Sequence, residues 1–177
     1  TLLLIDEARK FWQREKGWNE TQCRFHHVST DEVYGTLCKD DPAFTEETAY
    51  APNSPYSASK AGSDHLVRSY FHTYKMPITM SNCSNNYGPY QHQEKLIPVI
   101  IKACMEAKPI PIYGDGSNIR DWLYVEDHCR AIDKIIRNGN VGETYNVGGD
   151  NELSNLELTK KICEQMDKLK PENKPHV

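Results

Sequence analysis

Short apolar segments alternate with longer amphipathic segments along this chain, and the alternation constrains its fold more than any other feature. The short segments predict strands at 24–28, 77–80, 110–113 and 144–147. The longer segments predict helices at 56–75, 96–107, 126–137 and 155–169. Because parallel strands must be joined by crossover connections, usually helices, this order predicts an α/β fold with a largely parallel sheet.

Two helices carry apolar positions that predict their buried faces. An opening helix that ends near Gly17 would bury one stripe, made of Leu4, Ala8, Phe11 and Trp12. The helix at 56–75 would turn four residues inward, namely Ala58, Leu66, Val67 and Tyr70. Because the chain starts within a helix and without a Met, we expect a fragment of a longer protein.

The composition excludes several classes of function. The chain has 177 residues, a net charge of −4 and scattered Lys and Arg, so it predicts neither a nucleic-acid partner nor an acidic membrane surface. The apolar start at 2–5 is followed at once by charged residues, and it is too short for a signal or membrane segment. The six cysteines show no CxxC pair and no zinc spacing, which predicts no metal site and reduced thiols in a cytoplasmic protein.

Tyr56 and Lys60 lie four residues apart and therefore project from one face of a helix. A tyrosine base needs its pKa of about 10 lowered by about 3 units, or about 4 kcal/mol. One ammonium at about 4 Å, in an effective dielectric of about 20, supplies about that much. The alternative is an exposed lysine beside a packed tyrosine, and the spacing alone leaves both interpretations open.

Thr30, Asp31 and Glu32 follow a predicted strand directly. Ligands of parallel α/β sheets bind outside the carboxyl ends of the strands, which is where this triplet falls. Two adjacent carboxylates repel each other, so one pKa rises, and the pair suits a general acid beside a general base. The alternative is a helix N-cap, but the residues that follow, 33–35, continue a helix poorly.

A third group of residues suits a nucleotide-sugar. The amides of Asn85 and Asn86 can bind sugar hydroxyls, and Arg120 can hold a diphosphate through two hydrogen bonds. Lys95 and a turn at 111–116 belong to the same group. The alternative for Arg120 is a local ion pair with Asp121, which would contribute little.

Six ordered blocks make the chain resemble a known family. They are 28–35 (VSTDEVYG), 55–60 (PYSASK), 82–90 (NCSNNYGPY), 94–98 (EKLIP), 119–127 (IRDWLYVED) and 142–146 (GETYN). The chain closely resembles the dTDP-glucose 4,6-dehydratase family of extended short-chain dehydrogenases/reductases. The resemblance implies a Rossmann-like doubly wound parallel sheet. Residues 1–90 would be the end of the NAD-binding domain with the catalytic residues, and 91–177 elements of a small α/β sugar-nucleotide lobe interleaved with the last Rossmann elements.

The resemblance also implies the chemistry and its residues. With bound NAD, Tyr56 would act as base with the help of Lys60 and Thr30, Glu32 would take the C5 proton, and Asp31 would protonate the departing 6-hydroxyl. The substrate would be dTDP-glucose, the product a 4-keto-6-deoxy sugar used for rhamnose-type deoxysugars, and the full-length protein a homodimer. The cofactor would contact Tyr56, Lys60 and Asn86. The nucleotide-sugar would contact Asn85, Lys95, Leu96, Pro111, Tyr113, Arg120 and Asn155.

The sequence departs from the family pattern in one respect, and it leaves rival functions open. None of its ten glycines forms a GxGxxG or GxxGxxG turn, so the main pyrophosphate cradle is missing from these 177 residues. The nearest rivals are a UDP-sugar 4-epimerase, a decarboxylase and another nucleotide-sugar dehydratase. Epimerases and decarboxylases usually have a Ser or Thr without the Asp–Glu pair. A rival of another class is an inactive module that only binds a nucleotide-sugar.

Overall fold

The computed structural model describes residues 1–37, 41–112 and 114–169. Helices and strands alternate over this part of the chain, so the predicted α/β fold class is confirmed. In chain order the elements are α1 (Leu2–Arg9, continued by a π-helical turn Lys10–Glu15), β1 (Phe25–Thr30), a 3₁₀ turn (Asp31–Tyr34), α2 (Pro55–Tyr74), β2 (Ile78–Cys83), β3 (Asn85–Tyr87), α3 (Leu96–Met105), β4 (Ile119–Tyr124), α4 (Val125–Asn138), β5 (Thr144–Val147), β6 (Glu152–Ser154) and α5 (Asn155–Leu169).

The chain divides into two compact units. The first contains the described residues of Thr1–Ser84 together with Asp127–Val147. The second contains those of Asn85–Glu126 and the described residues from Gly148 onwards. The first boundary thus follows Ser84, whereas the motifs predicted a division at residue 90. The assignment of one part to the cofactor and the other to the substrate stays a prediction.

The first unit is built on a parallel sheet with the strand order β1-β2-β5. Thr30 of β1 lies opposite Cys83 of β2, and Cys83 lies opposite Val147 of β5. All three strands therefore end at the same edge of the sheet. That edge is where a parallel α/β sheet offers its loops to a ligand.

The core of the first unit lies between this sheet and helices α1 and α2. Ile5, Val67 and Met80 are among its buried members. The predicted stripes were partly wrong, since Leu4 is 67% exposed, and Ala58 and Leu66 are exposed as well. On α2 the buried face includes the polar residues Ser57 and Asp64, which an apolar pattern does not detect.

Local signals fix the two ends of α2. The side chain of Ser54 accepts a hydrogen bond from the backbone of Ser57, and the side chain of Ser57 accepts one from Ser54 in return. Pro55 occupies the first turn, where its missing N–H costs nothing. Lys75 ends the helix in the left-handed conformation. Both ends of this long helix are therefore fixed by local contacts.

The second unit has a small mixed sheet, in which β3 and β4 are parallel and β4 and β6 antiparallel. These three strands were not predicted. Conversely, the strand predicted at 110–113 was wrong over Ile110–Ile112, which are irregular, because Pro109 and Pro111 lack the N–H that a ladder needs. Among the residues that the structure describes, no helix combines the length and apolar character needed to cross a membrane.

Candidate active site

All five predicted catalytic residues lie in the first unit, at the carboxyl edge of its parallel sheet. Thr30 is the last residue of β1, and Asp31 and Glu32 begin the Asp31–Tyr34 turn. Tyr56 and Lys60 lie in the first two turns of α2. The structure therefore brings to one unit two segments that are 24 residues apart in sequence, counted from Glu32 to Tyr56.

Thr30 caps the turn that presents the two carboxylates. Its Oγ1 accepts a hydrogen bond from the backbone N–H of Glu32 at 3.3 Å and donates one to Asp31 Oδ1 at 3.2 Å. Asp31 is half-buried and Glu32 exposed, whereas Val33 and Tyr34 are buried. The N-cap alternative is therefore realised, but on a single turn that directs its apolar side inward and leaves the Glu32 carboxylate to solvent.

The far end of this turn is held by backbone and side chain alike. The Tyr34 hydroxyl donates to Asn146 Oδ1 at 2.8 Å and accepts from Asn82 Nδ2 at 2.8 Å. Gly35 follows with a φ of 106°, and a Cβ there would lie 2.7 Å from the carbonyl oxygen of Ala51. Only glycine fits at the end of this turn, so Gly35 helps to fix the backbone conformation of the segment that carries Asp31 and Glu32.

Lys60 is bonded to the strand that ends in Thr30. Its Nζ donates a hydrogen bond to the carbonyl oxygen of Val28 at 2.8 Å. An ammonium has three hydrogens, so Lys60 keeps the capacity for further acceptors. The phenol of Tyr56, one turn earlier, is 57% exposed. Hydroxyl and ammonium thus stand at the sheet edge where a ligand can reach them.

The electrostatics of Tyr56 differ from the expectation. Burial raises its pKa above the ordinary value, and the charges of Glu32, Cys83 and Asp31 raise it further. The expectation that Lys60 lowers this pKa was wrong for the chain as it stands, because the ammonium is bonded to the Val28 carbonyl and burial is the largest effect on the phenol.

Sequence reasoning missed two residues beside this site. Cys83 ends β2 opposite Thr30, and its Sγ donates to the carbonyl of Ser29 at 3.4 Å. Nothing in the sequence distinguishes it from the other cysteines. Asp64 is buried one turn beyond Lys60 and could have been found, because positions 60 and 64 share a helix face.

In the second unit, three of the seven predicted substrate residues lie on or beside the mixed sheet, namely Asn85, Arg120 and Asn155, and so does Asn86, which is predicted to contact the cofactor. Asn85 and Asn86 pair with Trp122 and Leu123 of β4. Arg120, exposed on the same strand, lies opposite Leu153 of β6. Asn155 follows β6, and its backbone N–H donates to Asn118 at 3.0 Å. The sheet therefore gathers two amides and a guanidinium that are far apart in sequence.

The alternative for Arg120, a local ion pair with Asp121, is not formed between these two described residues, and each makes other contacts instead. Arg120 Nη1 donates to the carbonyl of Ile119 at 3.5 Å. The carboxylate of Asp121 accepts from the backbone N–H groups of Gly149 at 2.6 Å and Asn151 at 2.8 Å. Asp121 thus fixes the loop before β6, and the exposed guanidinium of Arg120 stays available for a ligand.

The remaining predicted substrate residues lie on loops and at a helix start. Lys95 is the exposed N-cap of α3, and Leu96 is its half-buried first residue. Pro111 is exposed in the irregular segment that precedes β4. Tyr113 lies outside the described residues.

A model of the GDP-mannose 4,6 dehydratase family matches residues 1–177, so the chain belongs to this family. A dTDP-glucose 4,6-dehydratase from Neisseria gonorrhoeae is 56% identical over 172 residues, which cover 97% of this chain and 50% of that protein. This relation confirms the resemblance predicted from the six sequence blocks. The chain spans about half the length of the curated relatives it matches.

Solved structures support the same fold. The dTDP-glucose 4,6-dehydratase of Bacillus anthracis, solved with NAD, is 53% identical, with a TM-score of 0.77 over 82% of this chain and 45% of that one. A UDP-glucuronic acid 4-epimerase from Bacillus cereus is 30% identical, with a TM-score of 0.75 over 84% of this chain and 46% of that one. The predicted Rossmann-like architecture is therefore confirmed.

Proposed function

We propose that the protein containing this chain dehydrates dTDP-glucose to dTDP-4-keto-6-deoxyglucose with bound NAD. The observation that carries the proposal is that two carboxylates, Asp31 and Glu32, follow β1 directly at the carboxyl edge of a parallel sheet. At the same strand end Lys60, one turn beyond Tyr56 on α2, is bonded to the carbonyl of Val28. A hydride-transfer site needs the Tyr and Lys, and elimination of water needs an added acid and base. The identity of 56% to a dTDP-glucose 4,6-dehydratase supports the substrate.

The described residues fit one end of the cofactor. The exposed hydroxyl of Tyr56 and the ammonium of Lys60 offer a ribose two polar groups on one helix face. Asn86 of β3 is proposed as a further contact. NAD, when bound, supplies the acceptor for the C4 hydride and its return to C6. We assign no other contacts with NAD to these 177 residues.

Each proton transfer is assigned to one side chain. Tyr56, oriented with Thr30 and Lys60, removes the proton of the glucose 4-hydroxyl. The resulting 4-ketone acidifies C5, and Glu32, the more exposed carboxylate, takes the C5 proton. Asp31 protonates the departing 6-hydroxyl, the role that the family resemblance implies for it.

The raised pKa of Tyr56 places a requirement on this scheme. Burial, then the neighbouring carboxylates, raise the pKa of the phenol, which makes its proton harder to remove. The base role therefore requires an additional positive charge near the phenol. Lys60, if its ammonium turns from Val28 to the phenol, and an oxidised nicotinamide ring are the two groups able to supply it.

The second unit is proposed to bind the nucleotide-sugar. Arg120 is the residue proposed for the diphosphate, because its guanidinium is exposed and its neighbour Asp121 is engaged by backbone N–H groups. Asn85, Lys95, Leu96, Pro111 and Asn155 are proposed to line the rest of the nucleotide-sugar site. Tyr113 is proposed from the family resemblance alone.

An assay of the protein as expressed from its gene tests the proposal. With dTDP-glucose, we expect formation of a 4-keto sugar that absorbs in alkali, and with UDP-glucose a much slower reaction. Conversion of a UDP-sugar to its C4 epimer without a keto product would establish the epimerase alternative. Binding of dTDP-glucose with no turnover in the presence of NAD would establish the inactive binding module.

Homodimer formation remains a prediction that the first helix supports. Leu3 and Leu4 of α1 are adjacent and are 82% and 67% exposed, and neighbouring exposed apolar side chains suit a surface that a partner covers. Exchange of both for Glu should shift the sedimentation of the full protein to a lighter species, and an unchanged sedimentation coefficient would contradict this interface. The cytoplasmic location and a place in rhamnose precursor biosynthesis likewise stay predictions.

A further inference from the structure

Asp64 is a buried carboxylate on the same helix as the proposed oxidation residues. Its side chain is embedded in the first unit, with 1% of the residue exposed. Carboxylates are rarely buried to this degree unless several donors compensate the loss of water. The hydrogen-bond partners of Asp64 therefore indicate the role of this side chain.

Two of those partners come from the end of β1. His27 Nε2 lies 2.9 Å from Asp64 Oδ1, and the Ser29 hydroxyl donates to Asp64 Oδ2 at 2.8 Å. Lys60, one turn earlier on α2, donates to the carbonyl oxygen of Val28 at 2.8 Å. Three consecutive strand residues are thus bonded to two side chains of one helix, immediately before Thr30.

The third partner extends the network to the Asp31–Tyr34 turn. The Tyr50 hydroxyl donates to Asp64 Oδ2 at 3.0 Å, and Asn82 Nδ2 donates to Tyr50 at 3.4 Å and to Tyr34 at 2.8 Å. Burial raises the pKa of both tyrosines, so both hydroxyls remain donors. Asp64 is therefore connected to both ends of the Asp31–Tyr34 turn. It reaches the start of the turn through β1 and the end through Tyr50, Asn82 and Tyr34.

We propose that Asp64 is a positioning residue that holds the Asp31–Glu32 pair in register with the Tyr56–Lys60 pair. The inference rests on the proposed function. The two pairs belong to different elements, and only elements fixed against each other can present acid, base and phenol to adjacent carbons of one sugar. The hydrogen bonds of Asp64 go to His27, Ser29 and Tyr50, so it acts through these three residues.

The test is Asp64→Asn in the protein as expressed from its gene. The amide keeps the shape of the side chain but cannot accept all three hydrogen bonds. We expect kcat for dTDP-glucose to fall about tenfold, the order expected for hydrogen bonds lost from a buried charged group. KM should change little. The NADH absorbance during turnover should rise, because displaced carboxylates slow elimination more than oxidation.

Tyr70→Phe is the matched control. Tyr70 lies on the same helix, and its hydroxyl donates to Asp6 at 3.2 Å, away from the carboxyl ends of the strands. This variant should destabilise the protein without raising the NADH absorbance. Ser29→Ala removes a single partner of Asp64, and it should move kcat and NADH in the same direction as Asp64→Asn by a smaller factor.

Amide hydrogen exchange separates this inference from the proposed function, because it needs no substrate. In Asp64→Asn, segment 27–34 should exchange about tenfold faster than in the unmodified protein, and in Tyr70→Phe it should not. Unchanged exchange in Asp64→Asn, or a fall in kcat with no extra NADH, would overturn the positioning role. Absence of any 4-keto product from the unmodified protein would instead count against the proposed function.

Discussion

The two pairs of catalytic candidates are held in different ways. Tyr56 and Lys60 lie on a helix of 20 residues that begins with a reciprocal capping box and a proline. Asp31 and Glu32 lie on a 3₁₀ turn of four residues, capped by Thr30 and tied down at its far end by Tyr34. The helix start that carries the Tyr56–Lys60 pair is thus fixed by local caps, whereas the turn that carries the Asp31–Glu32 pair needs, besides its local cap, contacts that are distant in sequence.

Removal of the Tyr56 hydroxyl should give the largest loss of activity. Tyr56→Phe keeps the ring on the capped helix but removes the proposed base, and the first oxidation should slow by about 10²–10⁴-fold, the size of a general-base contribution. Single-turnover measurement of NADH formation checks this. Normal oxidation in this variant would require another base. It would also mean that the Tyr56–Lys60 pair is not the one responsible for oxidation.

Glu32→Gln should affect the other half of the reaction. The amide cannot take the C5 proton, so elimination should slow by about 10²–10⁴-fold, while the oxidation by Tyr56 proceeds. NADH should therefore form and persist, and the 4-keto-6-deoxy product should be scarce. Unchanged turnover would exclude Glu32 as the base.

Acid should weaken the strand that carries the elimination residues. His26 on β1 lies 3.0 Å from the Thr79 hydroxyl and 3.1 Å from that of Ser81, and burial, then the charges of His27, His128 and Arg24, lower its pKa to about 4. In the unfolded chain the imidazole takes up a proton near pH 6.5, whereas in the folded chain it does so only near pH 4. The stability that the neutral imidazole provides is therefore complete above pH 6.5 and is lost as the pH falls toward about 4. Because His26 is partly exposed and solvent screens its charge, we expect the free energy of unfolding to fall by about 2 kcal/mol.

Urea unfolding at pH 7 and pH 5 measures that loss, with His26→Gln as the comparison. The variant should lose less stability between the two pH values than the unmodified protein. Equal losses would mean that other groups account for the acid sensitivity.

Loss of the α2 cap should give the smallest effect. Ser54→Ala removes one half of the capping box and should lower the free energy of unfolding by about 1 kcal/mol. Because the cap consists of two serine side chains, its contribution should be the same at pH 7 and pH 5. A pH-dependent loss would show that the helix end is coupled to a titrating group.

The sequence predicted the first unit better than the second, and the reason is physical. β5 and α2 follow apolar periodicity and caps, so their positions were predicted to within a residue or two. The strands β3 and β6 read Asn-Asn-Tyr and Glu-Leu-Ser, which carry little strand signal. Their extended form comes from pairing with β4, which a local pattern cannot detect.

The candidate site shows the same limit. The motifs selected Thr30, Asp31, Glu32, Tyr56 and Lys60 as candidates, and the structure places all five in one unit, while their catalytic roles stay predictions. The spacing did not predict the direction of the Tyr56 pKa, because that direction depends first on burial and then on where the Lys60 ammonium finds its acceptor. The network around Asp64 was missed because aspartate on a helix is ordinarily exposed.

Gly35 has a consequence for how this site can be redesigned. Its φ of 106° and the Ala51 carbonyl beside it allow no side chain, so any exchange there reroutes the backbone. Exchanges of Asp31 and Glu32, on the outer side of the turn, change the acid and base without changing that route. A designer who wishes to convert the proposed dehydrating site into an epimerising one can therefore start from Asp31 and Glu32, provided that Gly35 is kept.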